Sequence, residues 1–125
     1  MANKPRLILR SAGIKTSAFP DLWHPKEHDL LIDCRVVKDP SHYTQGGQKM
    51  WDWLLDQCPY QLRKILCHVL NGIDMIPERR REKDDPYKDP FKILFFCAHG
   101  MHRSVSVKQI MGRWLREAGF EVTIE

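Results

Sequence analysis

Cys97-Ala98-His99-Gly100-Met101-His102-Arg103-Ser104 is the stretch of this 125-residue chain whose residue types and spacing can do chemistry. It offers a thiol, a glycine that lets backbone approach a ligand, and an arginine at the sixth position after the cysteine. An apolar run, Ile93-Leu94-Phe95-Phe96, enters it, too short for a helix and suited to a buried strand. A helical pattern leaves it, with Val107, Ile110, Met111, Trp114, Leu115 and Ala118 on one face. Strand, tight loop and helix in that order place Ser104 at a helix N-cap and aim unpaired backbone N–H groups into the loop. Such a loop suits an anion, above all a phosphate.

Cys-x2-Gly-x2-Arg-Ser also has the spacing of the phosphate loop of cysteine-dependent phosphatases. In that reading Cys97 is the nucleophile, its thiolate favoured by the helix end and by His102 and Arg103, and Arg103 clamps the phosphate. A phosphatase also needs a general acid on a separate loop. Asp33 stands beside Arg35, where an ion pair would keep it ionised, and nothing singles out one of Asp84, Asp85 and Asp89. A phosphatase built on Cys97-x5-Arg103 is therefore the alternative, and binding without catalysis the first expectation.

The elements that must hold this loop follow from the rest of the pattern. Arg6–Arg10 reads as a first strand ending in a Ser11-Ala12-Gly13 turn, and Asp29–Val36 as a second strand stopped by Asp39-Pro40. Gln48–Gln57 reads as a helix, and Pro59 opens another in which Leu62, Ile65, Leu66, Val69, Leu70 and Ile73 keep 3,4 spacing, with Gly72 near its end. Cys67 is placed on that apolar side as a small buried hydrophobe. Residues 77–90 form a charged connection broken by prolines, more solvated loop than phosphate contact, and Gly119 caps the last helix before a Phe120–Ile124 strand. Strands separated by helices predict a single α/β domain over 1–125, a largely parallel sheet with helices on both faces. In such sheets ligands gather beyond the carboxyl ends of the strands. The polar ends at Ser11–Gly13, Asp33–Arg35 and the loop after Phe96 are expected to meet there.

Composition narrows the class. A formal charge of +4 and a pI near 9.0 favour phosphorylated or nucleic-acid partners mildly. No apolar run nears the ~20 residues that span a bilayer, and the N-terminus lacks a secretory apolar segment, so a cytoplasmic protein is expected. Cys34, Cys58, Cys67 and Cys97 form no CxxC pair, so reduced thiols and no metal or cofactor are expected. Trp51, Trp53 and Trp114 read as core or rim, and His24, His28 and His68 as structural or surface groups. Trp23 is the better stacking candidate, and His42 a residue that the second loop brings near the pocket.

The tail His102-Arg103-Ser104-Val105 distinguishes this loop from the phosphatases: with Cys97 and Gly100 it resembles the C-terminal domain of the RNase adapter protein RapZ family. Asp33-Cys34-Arg35-Val36-Val37-Lys38-Asp39-Pro40-Ser41-His42-Tyr43 resembles a second segment of that family, and Ser11 and Gly13 a third, in the same order along most of the chain. The resemblance implies a compact α/β domain with a pocket for a phosphorylated or carboxylated small molecule, binding RNA in a regulatory adapter role. It also implies a protein partner and a homo-oligomer. Without Gly-x4-Gly-Lys-Ser/Thr, no ATP hydrolysis is carried over. Ala98, His99 and Met101 depart from the family's loop, which has a hydroxyl, a glycine and a lysine there, and Lys38 stands where it has a proline. The ligand-binding set is Ser11, Asp33, Arg35, Cys97, His99, Gly100, His102, Arg103 and Ser104.

Overall fold

The computed structural model describes residues 4–14, 27–39, 47–98 and 103–125. Four strands, β1 (Leu7–Gly13), β2 (Leu30–Asp33), β3 (Phe91–Cys97) and β4 (Val122–Ile124), lie in the order β2-β3-β1-β4, and every pairing is parallel. The helices are α1 (Gln48–Gln57), α2 (Pro59–Asp74), the single turn α3 (Ile76–Arg79) and α4 (Arg103–Glu117). The α/β class and the parallel sheet are as the sequence predicts.

Register explains why β3 reads as an unbroken apolar run. Partners across parallel strands point to the same face, so Leu7 and Leu9 of β1 share a face with Phe91 and Ile93 of β3, and Leu30 of β2 joins Ile93. Gly72 of α2 lies against Leu30 and Phe91, and Gly112 of α4 against Ile124 and Leu9, so both helices cover this face. A Cβ at Gly112 would stand 2.5 Å from Ile124 Cδ1, so a larger residue there would require the Ile124 side chain to move. On the opposite face Ala12, Leu94 and Phe96 are also buried. A strand buried on both sides has no polar alternation to show. Residues 15–26, which connect β1 to β2, lie outside the described residues.

Several expected boundaries shift. β1 continues through Ser11-Ala12-Gly13, which is strand and not turn, because Gly13 still pairs with Cys97. β2 ends at Asp33, where the carboxylate accepts the Arg35 N–H at 2.9 Å and starts a 3-10 turn over Cys34–Val36. The turn leaves Val36 57% exposed and sends Val37 inward. Cys67 is exposed, because the buried stripe of α2 runs through Leu62, Ile65, Val69 and Ile73. Gly72 does fall near the end of α2, as expected. At the other end of α4, Gly119 takes φ +94°, with its N–H on Arg116 O and that of Phe120 on Leu115 O, the glycine cap predicted from its position.

Arg80 makes the most contacts that tie down the charged 77–90 connection. Arg80 donates to the carbonyls of Pro86, Asp89 and Pro90 at 2.8–3.1 Å and to Asp29, with only 12% of its side chain exposed. Arg80→Ala is expected to cost about 2 kcal/mol, since hydrogen bonds from a charged group contribute about 1.5–3 kcal/mol each but do not add. A urea titration of both proteins checks this.

His28 is the reverse case, a buried ring with no hydrogen-bond partner among the described residues for either nitrogen. Burial first, then Arg10, pushes its pKa below the usual 6.5. Between the lowered value and 6.5 the unfolded chain binds more protons, so stability rises with pH in that window and falls on acidification through it. His28→Leu is expected to flatten this slope, read as the change in urea midpoint between pH 7.5 and pH 5.

Candidate anion-binding site

The carboxyl ends of β1, β2 and β3 come together as expected. Gly13 pairs with Cys97, Asp33 pairs with Phe96, and the Ile14 N–H donates to Cys97 O at 2.9 Å. From β1 the chain goes to β2 at one edge, and from β3 to β4 at the other. The connections thus diverge between β1 and β3, which is where open α/β sheets hold their ligands.

At this rim Asp33 and Arg35 form a two-pronged pair. Arg35 Nε donates to Asp33 Oδ1 at 2.9 Å, and Arg35 Nη2 to Oδ2 at 2.8 Å. The guanidinium lies over the Phe96 ring, 5.8 Å from its centre. The ring and carboxylate fix the plane of the fork, and Nη1 meets no acceptor among the described residues. Hydrogen bonds from the Arg35 side chain hold the Asp33 carboxyl below the usual carboxylate range, and the Arg103 charge lowers it further. Asp33 is therefore an orienting anion and not a proton donor near neutral pH.

Arg103 begins α4, and its charge acts on both Asp33 and Cys34, which places it on the β2 side of the rim. Ser104 does not cap the helix: it lies one residue inside it, fully buried, and its hydroxyl accepts the Cys97 thiol hydrogen at 3.2 Å. Cys97 is itself only 2% exposed. This bond joins the last residue of β3 to the first turn of α4. Burial pushes the neighbouring Cys34 thiol well above its ordinary value, with Cys97 the next cause.

Ser11 sits two residues short of the end of β1, beside Phe95, so Gly13 takes the rim position. His99, Gly100 and His102 fall outside the described residues, as do Trp23, His24 and His42. Among the described residues no group of three or more His, Cys, Asp and Glu is arranged to hold a metal ion. No described helix is long and apolar enough to cross a membrane.

Two features escaped the sequence. Phe96 serves as the platform under Arg35, visible only once the strands are aligned. A groove of about 570 Å³ runs from Asp33 along β2 and α2, walled by Leu31, Val36, Tyr60, Lys64 and His68. The polar residues on the exposed side of α2 were the signal for it.

The family model for the RapZ C-terminal domain matches residues 8–125. A protein named as nucleotide-binding from Ruegeria sp. (strain TM1040) is 26% identical over 107 residues, which is 80% of this chain and 34% of that protein.

Proposed function

This chain belongs to the RapZ C-terminal domain family, and we propose that its rim is a cradle for phosphate groups, serving a regulatory or adapter role. The observation that carries the reading is the convergence of Arg35 and Arg103 on strand ends that meet where the connections diverge. Arg35 is held in a fixed plane with Nη1 unpartnered among the described residues, and Arg103 sits on the first turn of a helix. A phosphomonoester is the small ligand that matches two arginines and a helix N-terminus. RNA is the larger partner, reached through the same phosphate chemistry and aided by the +4 charge of the chain. Exposed Val36 and Tyr60 beside the cradle offer apolar surface to a protein partner.

The test is fluorescence anisotropy with a labelled RNA across a salt series. Affinity should fall steeply with salt, and it should fall again in Arg103→Ala. Binding insensitive to both would remove RNA from the reading.

The phosphatase alternative keeps one observation in its favour, a cysteine and arginine at the right spacing around a strand-to-helix turn. Against it stand a buried thiol engaged with Ser104 and an Asp33 committed to Arg35. Turnover of p-nitrophenyl phosphate that is abolished in Cys97→Ser would favour catalysis; the account expects none above background in either protein.

A further inference from the structure

We propose that Cys34 and Cys97 are a modification site, a thiol pair that hydrogen peroxide converts into a disulfide joining the ends of β2 and β3. The placement comes first. Asp33 and Phe96 are partners across adjacent strands, so Cys34 and Cys97 are the next residue of each. β2 ends at Asp33, so Cys34 opens the 3-10 turn one residue beyond a strand pair spaced by about 4.8 Å, where a disulfide needs a Cα separation of about 4.4–6.8 Å. Direction agrees as well. Cys97 continues the series Phe91, Ile93 and Phe95, and Cys34 the series Leu30 and Ile32, and both series face the same core.

The two sulfurs also sense each other, since Cys97 is among the causes that push the Cys34 thiol up. Cys34 donates to Ile32 O at 3.7 Å, and Cys97 to Ser104 Oγ at 3.2 Å. The other cysteines do not offer this geometry. Cys58 accepts the Lys38 N–H across the chain from α1, and Cys67 is exposed on α2.

The reaction is written with Cys97 oxidised first; the reverse order gives the same bond and the same balance. The Cys97 sulfur attacks one oxygen of peroxide, the O–O bond breaks, and water leaves to give a sulfenic acid. The Cys34 sulfur then attacks the Cys97 sulfur; the S–O bond breaks and the hydroxyl leaves with the Cys34 proton as a second water. Two thiols are oxidised by two electrons and one peroxide is reduced to two waters. Both sulfurs are buried, so reaction proceeds through local opening of the strand ends. The product would tie the segment bearing Asp33 and Arg35 to the root of the 97–104 loop.

Treating the folded, reduced protein with hydrogen peroxide and mapping its peptides under non-reducing conditions tests this. The expected result is an intact mass lower by two hydrogen atoms, a linked peptide pair containing Cys34 and Cys97, and full reversal by dithiothreitol. Cys34→Ser should instead accumulate sulfenic or sulfinic acid at Cys97. The proposal is overturned if the wild-type protein gains oxygen at Cys97 without a linked pair, or if the link joins other cysteines. The linkage is read independently of phosphate binding, so either proposal can fail without the other.

Discussion

Phe95→Ala is expected to destabilise the protein by about 3–5 kcal/mol, the range for emptying a large aromatic site in a packed core. Phe95 is fully buried in the central strand, between Ser11 of β1 and Ile32 of β2, on the face that α2 and α4 cover. Alanine there removes contacts to two strands and a helix layer at once, and the strands cannot close the gap without breaking register. Since whole domains have only about 5–15 kcal/mol of stability, this variant should lose most of its resistance to urea. Val36→Ala, on the exposed turn, should stay within about 0.5 kcal/mol of wild type. Urea denaturation followed by tryptophan fluorescence compares the three. A Phe95→Ala cost near that of Val36→Ala would mean that β3 is not the central buried strand.

Arg103→Ala is expected to weaken binding of a phosphomonoester by about 10- to 100-fold, because a hydrogen bond between charged groups is worth about 1.5–3 kcal/mol and 1.4 kcal/mol is tenfold. Its stability should change little, because Arg103 is only partly buried and its side chain anchors no described element. Arg35→Ala should cost less, about 3- to 10-fold, since two of its nitrogens already serve Asp33 and only the remainder can reach a ligand. Arg103→Lys should fall between, retaining charge and losing the planar fork. Isothermal titration with a sugar phosphate or nucleoside monophosphate measures all three. An Arg35→Ala loss greater than that of Arg103→Ala would move the centre of the site onto β2.

These effects show which parts of the molecule were legible beforehand. Gln48–Gln57 and the helix opened by Pro59 were readable because their apolar residues repeat with helical spacing. The strand at Phe91–Cys97 was readable because burial on both faces leaves an unbroken apolar run. The 3-10 turn at Cys34–Val36 was not, because Val36 and Val37 look alike in sequence and only the Asp33 side chain, bonding to the Arg35 N–H, decides which faces solvent. Cys67 was misplaced for a related reason: in a helix with Leu66 and Leu70 on its flank, a small apolar residue can fall on either side of the stripe.

The site divides in the same way. The Asp33–Arg35 pair and the Cys97–Arg103 spacing are local and could be read directly. That Gly13 rather than Ser11 reaches the rim depends on the alignment of two strands about eighty residues apart, a tertiary fact with no local signal. Ser104 was placed at the cap because hydroxyls favour that position. In the structure Arg103 already begins the helix, and the hydroxyl turns instead to Cys97. Helix starts shift by a residue easily, and here the shift changes what Ser104 does.

The central claim, that the ends of β1, β2 and β3 form one cradle for phosphate, is tested most directly by titrating a 15N-labelled sample with a phosphomonoester and following the amide signals. The account predicts saturable shifts clustered at Gly13 and Ile14, Asp33 to Arg35, Cys97 and Ala98, and Arg103 and Ser104, three strand ends and one helix start responding with a single affinity. Shifts confined to another surface, such as the groove between α1 and α4 lined by Trp51 and Trp114, or no saturable shift at all, would contradict it.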